Sequence, residues 1–286
     1  MRTRISTDSH GVYQTLCPLA LKKQPFRRYK GEGLTLTTIL SSLNHAAQAS
    51  EWQAAALLQT PKEVWDHRGE LTEYQVWVSY RIAVRQLNLY HSDRARDNSC
   101  RKLLDCQGQK ETMEHLFWEC PCAQVCWQKL ICHWTGVRWA QDNIPAFLVH
   151  CAKREAPTLS KKTKQWLAQE HPDDVDAFTN EWKRIWRILS SICVTHLSIQ
   201  RNRAVYQHEV VTIAGSVHEF WKPGLRQLRA LAKRECRRVD SKIQGTRLLF
   251  CLRKLARQPS PVQPPDRYKA PALLTRLRLY QTSCNR

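Results

Sequence analysis

Residues 100–132 read CRKLLDCQGQKETMEHLFWECPCAQVCWQKLIC and contain six of the chain's twelve cysteines. One histidine, His115, lies among them, shortly before Cys120. Three thiolates and one imidazole form a donor set that tetrahedral Zn²⁺ takes in closed structural sites. The candidate ligands are Cys100, Cys106, His115 and Cys120. The segment therefore predicts a structural zinc site with no open coordination position for a catalytic water.

The residues around these ligands favour two short helices. Thr112 can cap a helix over 113–118, and Pro121 can stop that helix and begin the next one. In the second helix, apolar residues recur near a 3.6-residue period: Val125, Cys126, Leu130, Ile131 and Trp134. Cys122 and Cys126 are then core thiols rather than ligands. The alternative for the whole cluster is ordinary buried cysteine in a helical protein.

The same segment carries a series of short motifs: Glu111-Thr112, His115-Leu116-Phe117, Cys120-Pro121 and Trp127. This series resembles the zinc-binding domain that follows the polymerase in non-LTR (LINE-type) retrotransposon reverse transcriptases. Cys106 and Gly108 fall where that family has its second cysteine and a glycine. Leu103 stands at the position of the family's first cysteine, so the resemblance implies that a longer loop brings Cys100 back to the site.

Two further segments extend the resemblance. Trp77 lies upstream, where the family also has a Trp-bearing helix before its first cysteine. Downstream, Trp182 and Trp186 followed by Arg201-Asn202-Arg203 resemble the Trp-rich helix and Arg-Asn pair that often follow the domain. The resemblance implies a domain that helps to bind the RNA of the retrotransposon, or the target DNA, beside the polymerase.

The composition indicates a folded protein. Of the 286 residues, 42% are apolar and eleven are tryptophan, enough for one large or two modest domains. The sequence shows no secretory leader and no run of about 18 apolar residues. We therefore expect an intracellular protein, nuclear or cytoplasmic, that is neither secreted nor membrane-bound. In that setting, metal ligation and free buried thiols are expected rather than disulfides.

Positive charge is concentrated in the last third of the chain. Residues 181–286 hold 22 Lys or Arg against 6 Asp or Glu, a net charge of +16, whereas residues 1–180 hold 23 against 19, a net charge of +4. Such a surface attracts polyanions, which favours a nucleic acid as partner over an acidic protein or a membrane. The sequence leaves the oligomeric state open.

Two basic amphipathic helices are predicted within residues 222–257. Pro223 would lie inside a helix opened by the capping-box pattern at Ser216, so the first helix is predicted to start near Lys222. Its apolar stripe comprises Leu225, Leu228, Leu231, Ala232 and Val239. The second helix runs from about Ser241 to Arg257. The cations expected to contact phosphates are Arg226, Arg229, Lys233, Arg237, Arg247, Lys254 and Arg257. A merely solvated surface is the alternative.

Changes in composition and the positions of Pro and Gly divide the chain into six expected segments. We expect a poorly ordered segment at 1–33, a helical segment at 34–70, the zinc-binding domain at 71–139, a connector at 140–180, a basic helical region at 181–258 and a Pro-rich tail at 259–286. The capping box Thr72–Gln75 predicts a helix with Trp77 on its buried stripe. A long amphipathic helix is predicted from near Asn180 to about Arg203.

One motif points to a different function. Pro172-Asp173 followed by Glu181-Trp182-Lys183 imitates the signature of Mg²⁺-dependent (PD-ExK-like) endonucleases, in which carboxylates hold the metal and a lysine positions the attacking water. Such carboxylates converge from strand ends, whereas Glu181 and Lys183 fall inside the predicted long helix. The endonuclease is kept as an alternative, together with a protein-interaction module that has no nucleic-acid role.

The sequence holds no Tyr-x-Asp-Asp polymerase pair, no Gly-rich phosphate loop and no Gly-x-Ser-x-Gly nucleophile turn. We therefore expect a non-enzymatic, mainly α protein with a zinc-stabilised helical domain followed by an amphipathic, basic helical region. Its expected function is to bind Zn²⁺ and nucleic acid, as the C-terminal portion of a retrotransposon protein standing alone.

Overall fold

Helices dominate the computed structural model, which describes residues 51–57, 67, 69–83, 87, 89, 99–106, 108–135 and 145–257. Within these residues the β contact is one isolated bridge between Ser99 and Lys110. The prediction of a mainly α protein is therefore confirmed. The predicted segments 1–33 and 259–286, and most of 34–70, lie outside the described residues.

The chain divides at Leu87 into two units. The first contains α1 (Glu51–Leu57) and α2 (Glu73–Ala83). The predicted capping box is formed: the Thr72 N–H donates to Gln75 Oε1 at 2.9 Å, and the Gln75 N–H donates to Thr72 Oγ1 at 3.3 Å. These two reciprocal bonds satisfy N–H groups at the start of α2 that have no partner within the helix.

The prediction that Trp77 lies on the buried stripe of α2 is wrong. The Trp77 side chain is 43% exposed, whereas Val78 and Ile82 on the same helix are buried. The indole stacks on Tyr74 with ring centroids 5.6 Å apart, and the Arg81 guanidinium lies 4.8 Å from its centroid. An aromatic ring covered by a second ring and a cation is stabilised at the surface without entering the core.

The second unit contains six α-helices in the described residues: α3 (Pro121–Thr135), α4 (Leu148–Lys153), α5 (Lys161–Glu170), α6 (Val175–Tyr206), α7 (Ile213–Cys236) and α8 (Lys242–Arg257). The 32-residue helix α6 packs against α3, α5, α7 and α8. It starts before the predicted Asn180 and ends after Arg203, because the apolar stripe extends to Phe178 and Val205, both buried. The predicted connector therefore carries α4, α5 and the beginning of α6.

Buried tryptophans hold α3 against α6. The Trp134 ring meets Trp182 and Trp186 edge to face, with centroids 5.7 and 5.2 Å apart, and its Nε1 donates to the Pro157 carbonyl at 3.1 Å. Each such aromatic pair contributes about 0.5–1.5 kcal/mol beyond the burial of its area. The helix that follows the cysteine segment thus shares a core with the basic C-terminal helices.

Pro223 lies inside α7, so the prediction that a helix starts near Lys222 is wrong. The helix is capped by Thr212, whose Oγ1 accepts from the Gly215 N–H at 3.0 Å. Ser216, which opens the capping-box pattern, is buried within the first turns and donates its hydroxyl to the Thr212 carbonyl at 2.9 Å. Packing of α7 against α3, α6 and α8 outweighs the hydrogen bond that proline removes.

The apolar stripe of α7 differs from the prediction at both ends. Leu228, Leu231 and Ala232 are buried as expected, and Leu225 is half-buried. Val239 is 93% exposed because it lies beyond the helix, in a 3₁₀ turn that leads to α8. The second basic helix is formed as predicted, with its apolar stripe buried: Leu248, Leu252 and Leu255.

Candidate metal centre and basic surface

The structure brings Cys100, Cys106, His115 and Cys120 together in one buried cluster. One donor atom from each residue lies within 4.8 Å of every other. Ligands at the corners of a zinc tetrahedron with Zn–S bonds near 2.3 Å are about 3.8 Å apart. The cluster is therefore close to the size that a tetrahedral cation requires, and it can bind a metal ion.

A folded loop carries Cys100 to the other ligands. The Cys100 N–H donates to the Gln109 carbonyl at 2.8 Å beside the bridge between Ser99 and Lys110, so the two ends of the loop are held together. A 3₁₀ turn, Leu104–Cys106, and a left-handed Gly108 with φ of 82° reverse the chain between them. Gly108 adopts this φ without the steric cost that a Cβ would bring.

His115 and Cys120 are joined by a π-helical turn, His115–Glu119, so the short helix predicted over 113–118 is present but is wider than an α-helix. The Cys120 N–H donates to the His115 carbonyl at 2.7 Å, a bond across five residues. Residues five apart in an α-helix lie about 140° around the axis from each other. The wider turn instead stacks Cys120 over His115, which places the imidazole and the thiol on the same side.

Side chains satisfy the backbone where this turn meets α3. Pro121 has no N–H, so it cannot continue the hydrogen-bond ladder of the turn. Trp127 Nε1 donates to the Phe117 carbonyl at 2.6 Å, and Gln124 Nε2 donates to the Trp118 carbonyl. At the other end, Thr112 Oγ1 accepts from the His115 N–H at 2.9 Å, in the capping role predicted for it.

The imidazole of His115 presents one free nitrogen. Its Nδ1 lies 3.7 Å from Glu119 Oε2, whereas Nε2 is buried with no hydrogen-bond partner in the described part of the chain. A carboxylate on one ring nitrogen and a metal on the other is a common arrangement at metal-binding histidines, because the carboxylate orients the ring. Nε2 is thus the nitrogen available to a metal ion.

The sulfur atoms make the cluster attractive to positive charge. Burial alone would lower the pKa of His115, but the neighbouring sulfurs of Cys100 and Cys120, with the Glu119 carboxylate, outweigh burial and raise the pKa to about 11. Burial alone would raise the pKa of Cys120, yet hydrogen bonds from neighbouring thiols hold that pKa well below its usual range. The cluster therefore stabilises a thiolate beside a cation.

Lys102 was not expected at this site. Its side chain is 3% exposed, and its Nζ has no hydrogen-bond partner among the described residues. Burial alone would lower the pKa of Lys102, but the sulfurs of Cys120 and Cys122, followed by others of the cluster, outweigh burial and raise it. A divalent ion with three thiolates carries a net charge of about −1, which one buried ammonium neutralises.

Four of the predicted phosphate-contacting cations follow one face of α7 and its end. Arg226, Arg229, Lys233 and Arg237 are all exposed and recur at intervals of three and four residues. Among the described residues, none of the four has a carboxylate within 4.0 Å. We call these four residues the basic stripe.

The three predicted cations of α8 lie in other settings. Both carboxylate oxygens of Asp174 accept hydrogen bonds from Arg247 Nη2, each at 3.1 Å, so this guanidinium is engaged by an acid. The Lys254 ammonium lies 4.4 Å from the centroid of Trp166, in a cation–π contact. The side chain of Arg257 lies outside the described residues.

Glu181 and Lys183 of the nuclease-like motif lie on one helix, and one side chain is buried while the other is exposed. Glu181 is buried on α6, where Arg184 donates to it at 3.2 Å, and Arg184 also donates to Glu235 at 3.1 Å. Lys183 is exposed on the same helix, and residues two apart on a helix face different directions. Burial raises the pKa of Glu181 and Arg184 partly offsets this effect.

No known protein family matches the chain, and no curated protein and no solved structure matches it. In the described part of the chain, every helix is too short or too polar to cross a membrane. The resemblance to the LINE-type domain is therefore a hypothesis that depends on its motifs.

Proposed function

We propose that the protein binds one structural Zn²⁺ at the Cys₃His cluster and binds nucleic acid, RNA or DNA, through the basic stripe without catalysing a reaction. In this proposal the chain is a remnant of a non-LTR retrotransposon reverse transcriptase protein. The observation that carries it is the convergence of four buried donors drawn from a loop and a π-turn.

The chemistry of the donors supports zinc. Soft thiolates with one imidazole suit Zn²⁺, while Mg²⁺ and Ca²⁺ prefer oxygen ligands. Four protein ligands complete a tetrahedron, which leaves no place for a reactive water. The burial of all four residues agrees with a structural role, since it keeps substrate away from the ion.

The charge of α7 supports a polyanion as partner. The basic stripe has no compensating carboxylate in the described residues, so its cations repel one another unless anions approach. Cations three and four residues apart on one helical face can meet successive phosphates. Counterion release from those phosphates would then supply binding energy that depends strongly on salt.

Metal analysis of the purified full chain tests the first half of the proposal. We expect one zinc per chain in the native protein and its loss in Cys106→Ser and in His115→Ala. Cys236→Ser is the matched control, because Cys236 is a half-buried thiol outside the cluster. A metal-free native protein, or full metal content in Cys106→Ser, would refute the zinc site.

Salt titration of binding to DNA and RNA tests the second half. Four phosphate contacts predict a slope of log K against log salt of about −3.6 on duplex DNA. Each charge removed should make this slope less steep by about 0.9. Arg229→Gln and Lys233→Gln are the test variants, and Lys162→Gln on α5 is an exposed control. Absence of binding would favour the protein-interaction alternative. Plasmid cleavage with Mg²⁺ that is lost in Asp173→Ala would favour the endonuclease.

A further inference from the structure

A groove of about 440 Å³ lies between α6 and α7, next to the basic stripe. The groove is lined by one face of each helix: His196, Ile199 and Arg203 from α6, and His218, Glu219, Lys222, Pro223 and Arg226 from α7. The volume falls within the range of small-molecule sites, about 300–1,000 Å³. Arg226 belongs to both the groove and the stripe, so the two surfaces are continuous.

The α7 side of the groove is cationic. Lys222 and Arg226 are exposed and one helical turn apart, and neither has a carboxylate within 4.0 Å in the described part of the chain. Ile199 and Pro223 supply apolar surface between the two helices. A groove that combines a pair of cations with an apolar surface suits a ligand that has both an anionic end and an apolar ring.

The α6 side holds buried polar atoms without partners. His196 is 9% exposed, and its Nε2 has no hydrogen-bond partner in the described residues, with Glu219 Oε2 3.6 Å away. Burial lowers the pKa of His196 to about 4, so the ring is neutral near pH 7 and this contact is not an ion pair. Arg203 pairs with Glu219 and with Glu209, the latter at 3.2 Å, yet its Nε is also buried and unpaired.

These atoms give the groove a mixed set of donors and acceptors. The Glu219 carboxylate accepts hydrogen bonds, Arg203 Nε donates, and the neutral imidazole of His196 can do either. Leaving buried polar atoms unpaired is unfavourable, and a ligand with polar edges would supply the missing hydrogen bonds. The ring edges of nucleobases present donors and acceptors side by side.

We propose that this groove binds one nucleotide of a single-stranded nucleic acid, with its phosphate on Lys222 and Arg226 and its base between Ile199 and Pro223. The inference rests on the proposed binding of nucleic acid along the basic stripe. It adds that the protein distinguishes an unpaired strand from a duplex, because a base held in a duplex cannot enter the groove.

Calorimetric titration of the full chain with a nucleoside 5′-monophosphate and with inorganic phosphate tests the groove directly. Burial of a base against Ile199 and Pro223 should add to the phosphate contact, so the nucleotide is expected to bind about tenfold more tightly than phosphate. Equal affinity for the two probes would overturn the inference.

Ile199→Trp should fill the groove without changing its charge. We expect this variant to lose nucleotide binding and the preference for a single strand, while duplex binding by the basic stripe is retained. Val149→Trp on α4 is the matched control, since Val149 is 41% exposed and Ile199 38% exposed. Lys222→Gln, an exposed substitution, should weaken nucleotide binding roughly threefold. Unchanged nucleotide binding in Ile199→Trp and Lys222→Gln would overturn the inference.

The outcomes separate the two proposals. If the native protein binds duplex but prefers neither a nucleotide nor a single strand, the groove inference fails and the proposed function stands. If the native protein binds no nucleic acid, both fail, whatever the mononucleotide does.

Discussion

Arg201 on α6 donates through Nε to Glu111 Oε1 at 2.9 Å, and both side chains are almost completely buried. The same guanidinium donates to the Leu89 carbonyl and to Asn202 Oδ1. Glu111 directly precedes Thr112, the cap of the π-turn that carries His115. The ion pair therefore fixes the metal-binding segment to α6, the longest helix in the described part of the chain.

Removing one partner of this pair should destabilise the protein strongly. Glu111→Gln leaves the Arg201 charge buried without its counter-charge, which typically costs about 3–5 kcal/mol. Urea denaturation of the metal-loaded protein would measure the loss. As a control, Asp174→Asn breaks the exposed Arg247 pair and should cost at most about 1 kcal/mol. Equal losses in the two variants would show that the buried pair has no special role.

Lys102→Met should weaken metal binding without removing a ligand. The substitution keeps much of the side-chain volume and deletes the buried charge that offsets the anionic metal–thiolate group. Changes to groups next to metal ligands typically lower affinity about 10–100-fold, and we expect a loss in that range. Competition with a chromophoric zinc chelator would measure it, with the exposed Lys183→Met as control. Native affinity in Lys102→Met would contradict the charge-balance argument.

Gly245→Ala should loosen the packing of α7 against α8. A Cβ at this position would lie 2.6 Å from the Cys236 backbone nitrogen and 2.8 Å from the Ala232 carbonyl oxygen, so the helices would have to move apart. Overpacking of this kind costs about 1–3 kcal/mol. Thermal denaturation would detect it. At Gly69 a Cβ meets nothing within 4 Å, so a similar loss in Gly69→Ala would contradict the steric explanation.

His133 should make stability depend on pH. Burial, with Lys129 nearby, lowers the pKa of His133 to about 4, and the ring stacks on Trp221 with centroids 4.5 Å apart. An unfolded histidine has a pKa of about 6.5. Between these two values the unfolded chain binds more protons, so the free energy of unfolding falls as pH falls from about 6.5 to 4, by on the order of 3 kcal/mol for one histidine.

The variant His133→Phe keeps an aromatic ring against Trp221 and removes the titrating group. Its free energy of unfolding should fall less than that of the native protein between about pH 6.5 and 4, and the two should differ by a constant amount above pH 7. Part of the pH dependence should remain, since burial also lowers the pKa of His196 to about 4. Parallel stability curves over the whole pH range would exclude a role for His133.

Periodic features of the fold were predictable from the sequence. The apolar period of α3, α6 and α8 and the capping box before α2 each depend on residues close together in the chain. The four candidate metal ligands, three cysteines and His115, could also be chosen from residue type and spacing. Three thiolates and one imidazole close together in a sequence are typical of a structural zinc site.

Features set by tertiary packing could not be predicted in the same way. Pro223 reads locally as a helix breaker, and only the contacts of α7 with three other helices explain why the helix continues. Lysine is usually a surface residue, so the sequence gives no reason to expect Lys102 in the core. The sulfurs of Cys120 and Cys122 lie near it only because the chain folds back. The groove depends on the alignment of α6 with α7, which no short sequence window contains.

The π-turn sets a strict limit on how this protein can diverge. Insertion of one residue between His115 and Cys120 would rotate the thiol by about 100° around the helix axis, away from the imidazole, whereas deletion of one residue would replace the π-turn by an α-turn and displace Pro121 and the helix that follows. Substitutions elsewhere can accumulate while that interval of four intervening residues stays constant. Distant homologues should therefore be recognisable by the His-x₄-Cys-Pro interval, even where little other similarity survives.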